Sequence, residues 1–296
     1  MVTKTDTLNK RKWRNYGFVA ALIAPAVIHL VVFWFAVNIN SILMAFKDVN
    51  GQWSMGNFGI FFQEIFLPSS VLGQALKNTL IFFGVGIVIQ LPLSLVFSYF
   101  LYKKVWLYKV FRVVFFFPSI ISGVVMVSLY RYMINGPLTD FLFLFMDTVP
   151  HFLADSNYTL WFIVLFGIWT GFATNLVLFN GAMARIPEDI IEYSRLDGVG
   201  FFREMVQIVM PIIWPTVSTI VVLSFVGIFN ASGPILLFTE GRFNTYTISY
   251  WVYERVTRSS NLEYAAAVGV IFTVVGLPIV MLSRFIMSKL GQDVEY

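Results

Sequence analysis

The chain has 296 residues, 58% of them hydrophobic and 12% charged, with a mean hydropathy of +0.78. A soluble domain carries about 25% charged residues, so this composition excludes one and defines an integral membrane protein. The net charge of +4 would suggest nucleic acid in a soluble protein, but here basic residues act mainly as topology signals. Cysteine is absent, which excludes a disulfide framework and a thiolate metal site, and the two histidines, His29 and His151, stand too far apart to suggest one.

A helix needs roughly 20 apolar residues to cross the hydrocarbon core of a bilayer, and the chain supplies six such stretches. The first, about 17–45, follows the basic KRKWRNYG. It is too long for a removable signal peptide and no small-residue cleavage site follows, so it reads as a retained signal anchor. His29 within it reads as a neutral packed residue. The second stretch spans about 77–101 and the third about 110–133, with Arg131 as an interfacial anchor at the outer end. A segment with dispersed Asp140, Asp147 and Asp155 leads to the fourth, about 159–183. The fifth and sixth cover about 208–231 and 265–287.

An even number of spans puts both ends on one side. Lys4, Lys10, Arg11, Lys12 and Arg14 precede the first span, and Lys103, Lys104, Lys109 and Arg112 join the second to the third. Arg185, Arg195 and Arg203 join the fourth to the fifth, while Arg284 and Lys289 close the sixth. These fourteen of the 20 lysines and arginines lie on one face, which the positive-inside rule makes cytoplasmic. The chain then divides into a cytoplasmic segment 1–16, a membrane domain 17–287 containing a cytoplasmic loop 184–207, and a cytoplasmic tail 288–296. The outer segments, about 46–76, 134–158 and 232–264, are too short for a separate domain.

The middles of all six spans lack Asp, Glu, Lys and Arg. A carrier driven by a proton or sodium gradient usually holds its coupling ion with a buried carboxylate or a broken helix. The sequence also has no phosphate-binding GxxxxGK[ST] loop. If the chain takes part in driven transport, a partner supplies the drive.

The cytoplasmic loop between spans four and five contains IPEDIIEYSRLDGVGFFREMVQIVMP, Ile186 to Pro211. Pro187 suits a first helical position, and Glu188 and Asp189 complement the helix dipole in the first turn. Gly198 can adopt the left-handed conformation that stops a helix. The chain restarts at FFREMVQIVMP and enters span five through Pro211 and Pro215. Helix, glycine turn and second helix form a protruding elbow.

The letters EYSRLDGVGFFREMVQIVMP resemble the EAA loop of permease subunits of bacterial ABC importers, E-A-A-x-x-D-G-A followed further on by I-x-L-P. Glu192, Asp197, Gly198, Ile208 and Pro211 occupy matching places, while Tyr193 and Ser194 replace two alanines. LKNTLIF, FPSIISGVVMVSLYRYMING and EYAAAVGVIFTVV extend the likeness to spans two, three and six. It is nearest to the sugar-type permeases of the MalF and glycerol-phosphate permease branch. The resemblance implies an all-α membrane fold of six transmembrane helices, the type I ABC importer permease fold, with Ile186 to Phe202 as the helix that couples to a cytoplasmic ATPase. It also implies a second permease subunit, an ATPase dimer that binds ATP and Mg, and an extracytoplasmic solute-binding protein. On this implication the chain binds no cofactor and is not itself an enzyme.

Polar side chains in spans four and five are candidate contacts for cargo. GIWTGFATNLVLFN offers Trp169, Thr170, Thr174 and Asn175, with Thr170 and Thr174 spaced i, i+4, and the resemblance adds Gly171. LSFVGIFNASGP offers Ser224, Gly227, Ile228 and Asn230. An aromatic face with neutral hydrogen-bonding neighbours suits a sugar or oligosaccharide. The alternatives are a self-contained carrier of a neutral solute and an importer permease for a non-sugar or anionic saccharide. A membrane-embedded enzyme is disfavoured because no span carries a catalytic constellation.

Overall fold

The computed structural model describes residues 4–258 and 261–291. Residues 1–3 of the N-terminal segment and 292–296 of the tail lie outside them. The principal helices are α1 (Tyr16–Ala45), α2 (Gly56–Ile65), α3 (Val71–Tyr102), α4 (Tyr108–Ile120), α5 (Gly123–Phe143) and α6 (Thr159–Met183). They continue with α7 (Glu188–Leu196), α8 (Phe201–Ile212), α9 (Trp214–Val226), α10 (Ile248–Arg258) and α11 (Leu262–Leu290). An isolated antiparallel bridge joins Lys47 to Trp53.

Four of these helices, α1, α3, α6 and α11, are long and apolar enough to cross a membrane. The third and fifth spans, expected as single helices, are instead broken. Helices α4 and α5 meet at 115°, and α8 and α9 at 77°. At the first break Ile121 and Ser122 both leave the helical region, with ψ 145 and 134. At the second, Ile213 leaves the helical region with ψ 6, between Pro211 and Pro215. The fifth span also ends at Val226, earlier than expected, because Gly227 leaves the helical region with ψ 8.

Proline shapes the helices in a second way. In α3 a π-helical stretch, Gly86–Gln90, precedes Pro92, and the Leu91 N–H bonds back to the Gly86 carbonyl. In α8 the stretch Met205–Val209 precedes Pro211, with the Met210 N–H on the Met205 carbonyl. Widening the turn relieves the clash of a proline ring with the preceding turn, and such bulges recur at functional sites.

Helix α1 is exposed along its apolar length and meets α11 along Val37–Ala45. Such a helix, apolar all round, needs lipid or another chain as its solvent. The inner core gathers Leu91, Leu95 and Tyr99 of α3, Phe179 and Met183 of α6, and Val209, Val217 and Ile220 of α8 and α9. The end away from the loop 184–207 is capped by the two helices absent from the sequence expectation, α2 and α10, whose Phe61 and Trp251 pack against Leu72, Tyr264 and Phe272. There burial and a hydrogen bond to Glu254 push the Tyr246 hydroxyl up to about 12, so it remains a donor at any working pH.

Candidate functional site: an elbow between the fourth and fifth spans and a nearby cavity

Helix α7 is amphipathic. Ile191 and Ser194 are buried on its inner side, while Glu192, Tyr193 and Leu196 face outward, Tyr193 67% and Leu196 82% exposed. The Ser194 hydroxyl donates to the Ile191 carbonyl at 2.8 Å. Gly198 takes φ +69, and the Val199 N–H reaches back to the Ser194 carbonyl at 3.1 Å. This six-to-one closure satisfies an orphan carbonyl and ends the helix. Gly200 then runs extended into α8. Ile186 and Ile191 anchor the elbow to Leu95 and Tyr99 of α3 and Met183 of α6.

The predicted loop residues therefore divide. Glu192 and Asp197 are exposed on the elbow, and Gly198 makes its turn. Ser194 faces the elbow's own core, so the small residue at that place serves internal packing. Ile208 and Pro211 stand half-buried at the root, in and just beyond the π stretch of α8. Sequence reasoning missed Glu204, whose carboxylate is buried beside Lys103 at 2.6 Å. The signal was a lone acid at the start of the apolar run MVQIVMP.

Within the membrane domain a cavity of about 400 Å³ opens between α3, α6 and α9. Gly171, Thr174, Asn175, Ser224 and Gly227 line it as expected, joined by Phe82, Gly86 and Gln90 of α3 and by Ser232. A Cβ at Gly171 would stand 2.0 Å from the Gln90 amide nitrogen, so the glutamine rests on the bare backbone of that glycine. Gln90 was a legible signal, a polar side chain inside an apolar span.

The other candidates do not line this cavity. The α6 stripe runs through Val164, Gly167, Gly171, Thr174 and Asn175, and at 3.6 residues per turn Thr170 falls at its edge. The Thr170 hydroxyl is spent on the Phe166 carbonyl at 3.0 Å. Trp169 packs against the cluster of Met126, Phe166 and Phe238. Ile228 and Asn230 line a separate cavity of about 540 Å³ against Ile248, Phe272 and Gly276.

About one turn outward along α3 and α6 a larger cavity of about 890 Å³ is lined by Gln74, Lys77, Asn78, Ser156, Asn157, Trp161 and Asn244. Asn78 donates to the Asn244 and Tyr246 carbonyls, both at 2.8 Å, fixing this wall. Further round, Arg131 and His151 line another outer cavity with Glu240 and Arg242.

Broken spans, an elbow rooted at a kinked helix and a neutral polar cavity are the parts of a multi-pass membrane transport component. The chain belongs to the family described as binding-protein-dependent transport system inner membrane components, whose pattern matches residues 90–295. It is 24% identical over 291 residues to the polygalacturonan/rhamnogalacturonan transport system permease protein YteP of Bacillus subtilis (strain 168), covering 93% of this chain and 89% of that protein. It is also 24% identical to the sn-glycerol-3-phosphate transport system permease protein UgpA of Pectobacterium atrosepticum, with 98% and 99% covered. Its fold matches a chain of a bacterial ABC transporter involved in the import of the acidic polysaccharide alginate, with a TM-score of 0.82, 22% identity, and 98% and 100% covered.

Proposed function

We propose that this chain is the permease subunit of an ATP-driven importer, forming half of the path for a sugar or oligosaccharide delivered by a solute-binding protein. A second permease supplies the facing half. The elbow, on the cytoplasmic side with both termini, docks on an ATPase dimer that binds ATP and Mg and hydrolyses ATP outside this chain. Closure of the ATPases moves the elbow and switches the cavity between inward- and outward-facing states.

The single observation that carries the coupling role is the construction of the elbow. A short helix exposes Tyr193 and Leu196, ends at a left-handed glycine, and is packed onto the helices that line the cavity. Such a block transmits a push as a lever. The sugar assignment draws on the names of the relatives and on the neutral lining of Gln90, Thr174, Asn175, Ser224 and Ser232.

The test is to purify the tagged chain gently from its native membrane, with and without Gly198→Pro, and identify co-purifying proteins by mass spectrometry. A second permease and a phosphate-loop ATPase should accompany the unmodified chain, and the ATPase should be lost from the variant. An ATPase retained equally by both removes the elbow from the coupling role.

A second reading, an acidic saccharide as cargo, is favoured by Lys77, the charged side chain lining the outer cavity beside Trp161. Uptake by the whole complex of a uronate oligosaccharide against a neutral one, with Lys77→Ala as the variant, separates the two. A preference for the uronate that Lys77→Ala abolishes supports the acidic cargo; a neutral preference indifferent to Lys77 discards it.

A further inference from the structure

The carboxylate of Glu204 belongs neither to the cavity nor to the exposed side of the elbow. It sits in the first turn of α8, just before the π stretch. The Lys103 ammonium donates to both its oxygens, at 2.6 and 2.8 Å. Only 3% of the Glu204 side chain and 13% of Lys103 is exposed. The ammonium stands 5.8 Å from the centre of the Tyr99 ring, whose own centre lies 4.6 Å from that of Phe201.

Burying an ion pair is a poor route to stability, because losing the hydration of two charges offsets their attraction, and apolar residues of the same size do as well. Its best-attested use is to fix register between elements. Lys103 caps the C-terminal end of α3, the helix that carries Gln90 in the cavity about 20 Å away at 1.5 Å per residue. Glu204 belongs to α8, which leads into α9 with Ser224 on the opposite wall. The apolar contacts of Ile186 and Ile191 with α3 are non-directional, whereas a cation donating two charge-assisted hydrogen bonds fixes direction.

We infer that the Lys103–Glu204 pair is the joint that ties α3 to the elbow. Displacement of the elbow then reaches both walls of the cavity, α9 through the chain itself and α3 through the ion pair. Both are positioning residues that touch neither cargo nor nucleotide, and the inference rests on the elbow reading above.

The chain contains no cysteine, so spin labels attach only where cysteines are introduced. In the whole complex in liposomes, with the partners' cysteines replaced, labels at Val88→Cys on α3 and Leu223→Cys on α9 are each paired with one at Leu282→Cys on α11. Electron paramagnetic resonance distances are recorded before and after ATP with vanadate. In the unaltered background both distances change. Lys103→Met and Glu204→Gln lose the α3 change and keep the α9 change with the ATPase attached, whereas Lys103→Arg, which keeps the cation, retains both. The double variant Lys103→Met/Glu204→Leu leaves no charge unpaired and so separates misfolding from loss of the joint; it too loses the α3 change. An α3 change of full size in Glu204→Gln or in the double variant overturns the inference. Retention of the ATPase and of both changes in Gly198→Pro overturns the elbow reading instead.

Discussion

At the scale of single residues the cavity is set by one contact, the Gln90 amide lying against Gly171. A methyl group there must push the glutamine away, and because the amide is the end of a flexible side chain, the helices need not move. Gly171→Ala is therefore expected to insert and assemble normally while raising the half-saturating cargo concentration about tenfold, near 1.4 kcal/mol. In the Gln90→Ala background the same substitution should have little further effect, a non-additivity that a double-mutant cycle in uptake assays would read directly. Gly198 is limited by conformation instead of space, since nothing lies within 4 Å of its Cβ position but its φ is +69. Asparagine tolerates that region and alanine does not. Gly198→Asn should retain ATPase attachment, Gly198→Ala should weaken the elbow by about 1 kcal/mol or more, and Gly198→Val should weaken it further. Co-purification ranks the three; an order that follows side-chain volume alone would refute the conformational argument.

At the scale of elements, α7 divides the elbow into a side that holds the protein together and a side left exposed. Leu196, 82% exposed beside Tyr193, has no role in the packing of this chain. Leu196→Asp should leave the chain inserted but cost about 2 kcal/mol of ATPase attachment, roughly thirtyfold, as expected of an apolar anchor at the centre of an interface; an unchanged affinity in a titration of ATPase onto the reconstituted permease would rule that out. This helix was legible in the sequence because its signals are local: Pro187 and two acids at the start, Gly198 at the end. The breaks at Ile121–Ser122 and Ile213 were not read, because hydropathy measures where a chain is apolar and is blind to where its backbone turns; at Ile213 the flanking Pro211 and Pro215 were the available signal. The short outer helices α2 and α10 were missed for a related reason. They cap the outer end through Phe61 and Trp251, a tertiary arrangement in segments too short to read as spans. In the cavity, the α6 stripe was readable from period and polarity except at Thr170, where a 40° difference in helical phase decides which side chain lines it, and at Trp169, which packs against the cluster of Met126, Phe166 and Phe238 instead. The Lys103–Glu204 pair joins positions 101 residues apart, and no local pattern pairs them.

At the scale of the whole molecule, what decides between a machine driven by partners and a self-contained carrier is where free energy enters. A carrier coupled to an ion gradient needs a group in its path that exchanges a proton or holds a cation. The cavity between α3, α6 and α9 is lined by amide, hydroxyl, aliphatic and aromatic side chains and by glycines, with no carboxylate among them. Lys77 lies outward of it and Glu204 inward, beneath the elbow, paired with Lys103. A proton gradient therefore finds no carboxylate in this cavity to act upon, while a push on the elbow would reach α8 and α9 through the chain. The chain alone in liposomes should then take up no oligosaccharide under an imposed proton or sodium gradient. The same chain with its second permease, ATPases and solute-binding protein should do so when ATP is present on the ATPase side. Gradient-driven uptake by the isolated chain would overturn the importer reading, and it would require the ion to bind outside the cavity described above.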